Sequence, residues 1–310
     1  MLLSACGSAA SKRPTLRVSI TGKGDGDTRL LFRAAGIKAE GFDIVYSEFQ
    51  SGHLVVEALN GGSLDYGGMS EIPPIFAAAS TIQSFRQIAV VHGDVNNQVV
   101  LVPRGSTVKG IADLRGKRVG YVRATTSQYF LIRMLEEVGL GWDDIKPVAM
   151  GVSDGAAAFS QGALDAWAIY GFPIQRAIAT EGARILRTAY GILSGNYLAA
   201  AHVDALADPD KAKIISTYLG LVQRAFGWAA AHQDEWARVV SQDIGVPLAY
   251  VQDQFRRKSA TYELRPVTPD AIASQQEVAD LFYAQKLLPK RVDVRPLWDD
   301  RFNSAIPKRG

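Results

Sequence analysis

One cysteine, Cys6, stands in 310 residues. That excludes an intrachain disulfide and any cysteine-based metal cluster. The four histidines, His53, His92, His202 and His232, share no ligand spacing and read as surface or capping residues. No apolar run approaches the ~18 residues needed to span a bilayer. Charge of one sign is also lacking: 34 basic residues face 31 acidic ones, for a net +3. Without a basic stripe a nucleic-acid partner is not expected. No Gly-x-Ser-x-Gly elbow marks an α/β-hydrolase, and no pair of carboxylates stands out for acid–base chemistry. The glycine-rich run Gly22 to Asp27 has Asp27 where a dinucleotide fingerprint needs its third glycine, and no Gly-Lys-Ser/Thr closes it. Its Asp25 and Asp27 are too close together for an EF-hand loop. No cofactor and no metal are implied.

What is present is the composition of an ordinary globular chain, 47% hydrophobic and 21% charged. The length suggests about two domains. An internal echo makes that concrete. Gly62-Ser63-Leu64-Asp65, running on to Pro73, returns as Gly162-Ala163-Leu164-Asp165, running on to Pro173. Each copy follows a short amphipathic run and reads as helix, glycine stop, short buried strand, turn, and a new helix opened by proline. Proline suits a first helical turn because the amide it lacks would have no partner there. Two matching α/β units imply two similar lobes. Open α/β sheets bind ligands beyond the carboxyl ends of their strands, so two facing lobes make a cleft, which suggests binding before catalysis. Asp65 and Asp165, at equivalent strand starts, read as structural caps of the preceding turn rather than catalytic acids.

Apolar alternation predicts strands at 15–20, 42–49, 88–91, 98–102, 117–122 and 146–150, with helices at 28–35, 51–60, 108–114 and 127–138. From about Asp208 onward strand signals stop, and four amphipathic helices are expected at 211–231, 233–241, 247–258 and 269–285. One lobe is placed at 14–97 plus 198–310 and the other at 98–197, with crossings near Asn96-Asn97 and Gly195-Asn196.

Three predicted turns share one geometry, a strand leading into a helix: Thr21 to Thr28, Ser70 to Ile72, and Arg123 to Tyr129. Hydroxyl residues there cap free amides. The same arrangement presents amides, hydroxyls and the positive end of the helix dipole to an anion. The first turn reads equally as a plain surface turn. Tyr170 and Phe172, at the end of the second echo, can wall the cleft, whereas Trp167 reads as core.

Leu3-Ser4-Ala5-Cys6-Gly7 resembles the lipobox of bacterial lipoproteins, whose cysteine becomes the lipidated first residue of the mature chain. On that reading residues 1–13 are a signal remnant and tether. Only five residues precede Cys6, fewer than the apolar h-region of a signal peptide requires, so on this reading either the true start lies further upstream or the chain has been trimmed. The alternative is an N-terminus with an incidental cysteine.

Residues 62–77, residues 161–169 and the tail from Ala279-Asp280-Leu281-Phe282-Tyr283 to Leu288-Pro289-Lys290-Arg291-Val292-Asp293 resemble the aliphatic-sulfonate-binding proteins of bacterial ABC importers, within a wider group that includes taurine- and nitrate-type binding proteins. The likeness covers about residues 15–300. It implies an α/β, two-lobed periplasmic-binding-protein (Venus-flytrap) architecture with mixed sheets and a helical C-terminal cover. It implies a monomer that captures a small sulfonate-like organic anion outside the cytoplasmic membrane, held there by its N-terminal lipid, and passes it to the transmembrane permease. The ligand contacts expected are Lys23 and Gly24, then Met69, Ser70 and Glu71, then Thr125, Thr126 and Ser127, and finally Tyr170 and Gly171. The chain departs from the family where Tyr170-Gly171-Phe172-Pro173 replaces a Trp-led turn, and in its Thr-Thr-Ser-Gln loop. Asp25 and Asp27 are a third departure, an acidic pair able to accept the amine of a zwitterion. A desulfinase-like enzyme on the same scaffold is the competing class; such enzymes use a cysteine nucleophile inside the first lobe, where this chain has none.

Overall fold

A computed structural model of the chain describes residues 13–80 and 83–306; Cys6 and its lipobox lie outside them. The chain begins with β1 (Thr15–Thr21), α1 (Thr28–Ala34), β2 (Asp43–Phe49), α2 (Gly52–Asn60), β3 (Tyr66–Ser70), α3 (Pro73–Ser80) and β4 (Phe85–His92). It continues through β5 (Gln98–Val102), β6 (Arg118–Tyr121), α4 (Thr126–Glu136), β7 (Lys146–Ala149), α5 (Val152–Ser160), β8 (Ala166–Tyr170), α6 (Pro173–Glu181) and β9 (Arg184–Thr188). After β10 (Asn196–His202) come α7 (Val203–Ala207), α8 (Pro209–Ala231), α9 (Gln233–Ile244), α10 (Leu248–Arg256), β11 (Glu263–Arg265) and α11 (Pro269–Ala284).

Two mixed sheets result, ordered β11-β4-β10-β3-β1-β2 and β7-β6-β8-β5-β9. In the first, β1 runs parallel to β2 and β3, and β10 lies antiparallel between β3 and β4. In the second, β6 runs parallel to β7 and β8, and β5 lies antiparallel between β8 and β9. The chain passes between the sheets twice, from β4 to β5 and from β9 to β10. In each sheet the antiparallel inner strand is the one that has just arrived from the other. The two crossings lie side by side, joined where the Gly93 amide donates to the Gly195 carbonyl at 2.9 Å.

The echo is structural. Helices α2 and α5, strands β3 and β8, and helices α3 and α6 each begin one hundred residues apart. Gly62 and Gly162, the two stops, have φ of +68° and +72°, which a side chain rarely adopts. Asp65 and Asp165 each grip an arginine of the neighbouring strand rather than a free amide of their own turn. Arg17 and Arg118 donate their backbone amides to those carboxylates at 2.9 and 2.7 Å, and their guanidinium groups also reach the carbonyls of Gly62 and Gly162.

One face of the first sheet is covered by α1, α8, α9 and α10 around Tyr218, Leu219, Trp236 and Val251, all but fully buried. The covering helices start where they were expected to, for local reasons. Asp208 and Thr268 accept hydrogen bonds from the first free amides of α8 and α11, each ahead of a proline at the first helical position. Helix α11 packs elsewhere: Val278 and Phe282 meet Ile75 of α3 and Ile132 of α4, so this helix touches both halves of the molecule.

Five elements depart from the sequence expectation. β9, β10 and α7 have no counterpart in it, and β11 lies beyond the point where strand signals stop. Leu198 to Ala201 carries no β-branched residue, so its strand state comes from burial between β3 and β4 rather than from propensity. β11 is three residues long, too short to show alternation, and is held by pairing to β4. The helix expected at 108–114 is a single 3₁₀ turn at Ile111–Leu114.

Candidate binding site

A cavity of about 260 Å³ lies between the two sheets, at the carboxyl ends of β1, β3 and β8. The first residues of six helices, Thr28, Gly52, Pro73, Thr126, Val152 and Pro173, stand on its wall. Helix N-termini carry unsatisfied amides and positive dipole ends, so the cavity is predisposed toward an anion. Lys23 is the only cationic side chain on the wall and Asp25 the only carboxylate; no histidine or cysteine reaches it among the described residues.

Of the residues expected to contact a ligand, Lys23, Gly24, Met69, Ser70, Thr125, Thr126, Tyr170 and Gly171 line this cavity. Glu71 and Ser127 stand behind the wall. In the α4 turn, Thr125 Oγ1 donates to the Val122 carbonyl (2.8 Å) and caps the Ser127 amide (3.3 Å). Ser127 Oγ accepts from the Val122 amide at 2.9 Å. These two hydroxyls are spent on building the turn. Ala124 sits at φ +56°, a strained region for a residue with a side chain, and its amide donates to Gln128 Oε1 at 2.8 Å. Thr126 is left: its amide and hydroxyl make no hydrogen bond among the described residues. The same holds for the hydroxyl of Ser70. Burial holds the Tyr170 hydroxyl well above its usual pKa, against a smaller opposing effect of Thr125, so it is a neutral phenol at any physiological pH.

The glycine-rich turn has a different character. Asp27 Oδ1 caps α1 at the Leu30 amide (3.0 Å) while its other oxygen pairs with Arg29 (2.8 Å). Asp25 accepts from Trp236 Nε1 and pairs with Lys258, both at 2.7 Å. Even the Gly24 amide donates to a carboxylate of the protein, Asp243, at 3.3 Å. The acidic pair is therefore fully engaged by the protein, and the turn has little to offer an anionic head group.

Glu71 is 4% exposed. Its carboxylate accepts from Ser194 at 2.8 Å and Ser274 at 3.2 Å, so it ties the turn between β3 and α3 to the second crossing and to α11. Burial without a cation pushes its pKa to about 7.

Part of the wall comes from residues not singled out in the sequence. Val222 and Phe226 of α8 and Val240 and Ile244 of α9 supply an apolar side, and Asn97 and Gln98 of the first crossing also reach the cavity. Apolar residues on an amphipathic helix read equally as core, so no local signal marks these four.

A cleft between two α/β halves joined by two crossings is the architecture of a periplasmic binding protein, and comparison bears this out. Residues 37–236 match the NMT1/THI5-like family, and the chain belongs to that family. It is 32% identical, over 81% of its length and 78% of the relative's, to an Escherichia coli (strain K12) protein named for aliphatic sulfonate binding. A Bacillus subtilis (strain 168) protein named in the same way is 25% identical over 85% of this chain and 78% of its own. Among solved structures, the alkanesulfonate-binding protein SsuA of Xanthomonas axonopodis pv. citri, bound to MOPS, matches with a TM-score of 0.82 at 30% identity, covering 94% of this chain and 99% of that one. The desulfurization enzyme DszB shares the fold alone, with a TM-score of 0.64 at 16% identity.

Proposed function

We propose that this protein is the solute-binding component of an ABC importer, capturing an aliphatic sulfonate in the cavity between its sheets and handing it to the membrane permease. One observation carries the choice of head-group site. Thr126, at the N-terminus of α4, and Ser70, at the end of β3, line the cavity with hydrogen-bonding groups unused among the described residues, while the carboxylates of the glycine turn are already engaged. A sulfonate is ionised at any physiological pH and can be held by neutral donors, which avoids the desolvation cost of a buried ion pair. Lys23 adds long-range attraction at the rim. The two halves, 14–97 plus 198–310 and 98–197, act as lobes that close on the ligand, although β10 already belongs to the first sheet from Asn196.

The protein binds its ligand without turning it over. It works on the outer side of the cytoplasmic membrane as a monomer, tethered by a lipid on Cys6. Replacing Cys6 by Ser in the protein expressed with its native upstream region releases it from the membrane fraction; equal retention overturns the tether. The function itself is tested by calorimetry and thermal shift against ethanesulfonate, octanesulfonate, benzenesulfonate, taurine and nitrate. Ligand at a hundredfold excess over Kd adds about 2.7 kcal/mol of apparent stability. A response to nitrate with none to any sulfonate overturns the ligand class, and sulfite released in proportion to protein overturns binding without turnover.

A further inference from the structure

One aromatic side chain on the wall of the ligand cavity reaches from the second half of the molecule to the first. Phe172 caps α6, beside the second sheet, yet it packs into the hydrophobic cluster built by α1, α8 and α9 on the first sheet. Its neighbours there meet at Gly24. A Cβ on Gly24 would stand 3.2 Å from Ile244 Cγ2, 3.6 Å from Val240 Cγ1 and 3.9 Å from Phe172 Cβ. The bare backbone of Gly24, at φ +87°, leaves the space in which Phe172, Val240 and Ile244 come together. Ala179, further along α6, joins the same cluster, so the contact continues beyond the ring. A polar contact between the halves, a hydrogen bond from Ser153 to Gln50, is exposed and 3.4 Å long, and adds little. On the hinge side the halves are joined through α11 and the Glu71–Ser194 bond, contacts that do not need to break when the cleft opens.

We propose that Phe172 is a closure latch: its insertion over Gly24, against Val240 and Ile244, sets how long the two halves stay shut. The proposal extends the binding-protein reading above and rests on it for the ligand used. Phe172 is a positioning residue that acts through closure, so its loss shortens ligand residence without altering which ligand is chosen. Half-burial of a phenyl ring corresponds to about a tenfold change in the closed-to-open ratio.

The test combines stopped-flow release of ethanesulfonate and octanesulfonate with small-angle scattering of the ligand-free protein. Phe172→Ala should release both sulfonates about tenfold faster, by the same factor, and should give a larger ligand-free radius of gyration. Phe172→Leu should recover most of both effects. Gly24→Ala, which wedges a methyl against Ile244, should open the protein in the same direction and serves as the second variant if Phe172→Ala is poorly folded. Unchanged release and scattering overturn the latch. A loss that grows from ethanesulfonate to octanesulfonate also overturns it, since the ring would then be touching the ligand tail. If the wild-type protein binds neither sulfonate, the ligand assignment fails, while the scattering comparison still decides the latch.

Discussion

Asp65 holds Arg17 by both its backbone amide and its guanidinium, and it is 2% exposed while doing so. Lys211 of α8 adds a second cation at 2.7 Å. One carboxylate thus joins two strands of the first sheet to its helical cover. Burial drives the Asp65 carboxyl up, but the bonds from Arg17 and Lys211 outweigh it and leave it below its ordinary pKa. Asp165 repeats the grip on Arg118 at a more solvated position, and among the described residues no second cation forms an ion pair with it.

Asp65→Asn should therefore destabilise the fold by about 2 kcal/mol, allowing for the partly exposed cations, and Asp165→Asn by clearly less. Because the folded carboxyl titrates below its unfolded value, the Asp65 contribution is complete above the ordinary carboxylate range and is lost as pH falls through the depressed value. Urea melts of the two variants at pH 7 and pH 3 check this. Equal losses at pH 7 would mean that Lys211 contributes nothing.

Glu71 has the opposite sign. Its folded pKa of about 7 lies above the unfolded value, so its stabilising contribution is full below the unfolded pKa and is lost as pH rises through 7. The loss is about 3 kcal/mol for a shift of this size. Glu71→Gln keeps an acceptor for Ser194 or Ser274 and removes the charge. Calorimetric melting from pH 5 to pH 8 should show the wild type losing stability relative to the variant; parallel curves would refute the assignment.

On the cavity wall, Thr126→Ala at the start of α4 and Ser70→Ala at the end of β3 should each weaken sulfonate binding by roughly one to two powers of ten, the worth of a hydrogen bond to a charged group, with the melting temperature nearly unchanged. Ser127→Ala should instead cost about 1 kcal/mol of stability through the lost turn. Titration calorimetry and melts on the same three variants separate the two roles. Affinity lost only in Ser127→Ala would shift the head group toward the rear of the turn.

Lys258 and Asp25 moor the glycine turn to the helical cover with side chains 14% and 10% exposed. The Lys258 ammonium also lies 3.6 Å above the Phe255 ring. Lys258→Met should cost about 2 kcal/mol, and adding Asp25→Asn should recover part of it, giving a coupling of more than about 1 kcal/mol in a double-mutant cycle. Shielding by the surrounding protein makes that coupling insensitive to salt; a coupling that vanishes in 0.5 M salt would show the pair to be solvated.

The repeated unit and its turns follow from local residue choices. Gly62, Asp65 and Pro73 recur at Gly162, Asp165 and Pro173 because backbone handedness, strand anchoring and helix initiation are local demands that particular residues meet. The strand-to-helix turns on the cavity wall were legible for the same reason. Tertiary structure decided the rest. Alanine-rich β10 is a strand because it is buried between β3 and β4. Val240 and Ile244 belong to the core of the first sheet and also border the cavity because the second half of the molecule stands beside them. Thr125 and Ser127 look like Thr126 in sequence, and only the fold shows that their hydroxyls are turned back on Val122. By sequence alone the acidic pair of the glycine turn is able to accept an amine, whereas in the fold its carboxylates are engaged by Trp236, Lys258 and Arg29. Two of those three come from more than two hundred residues away, and no local pattern records a hydrogen bond across that distance.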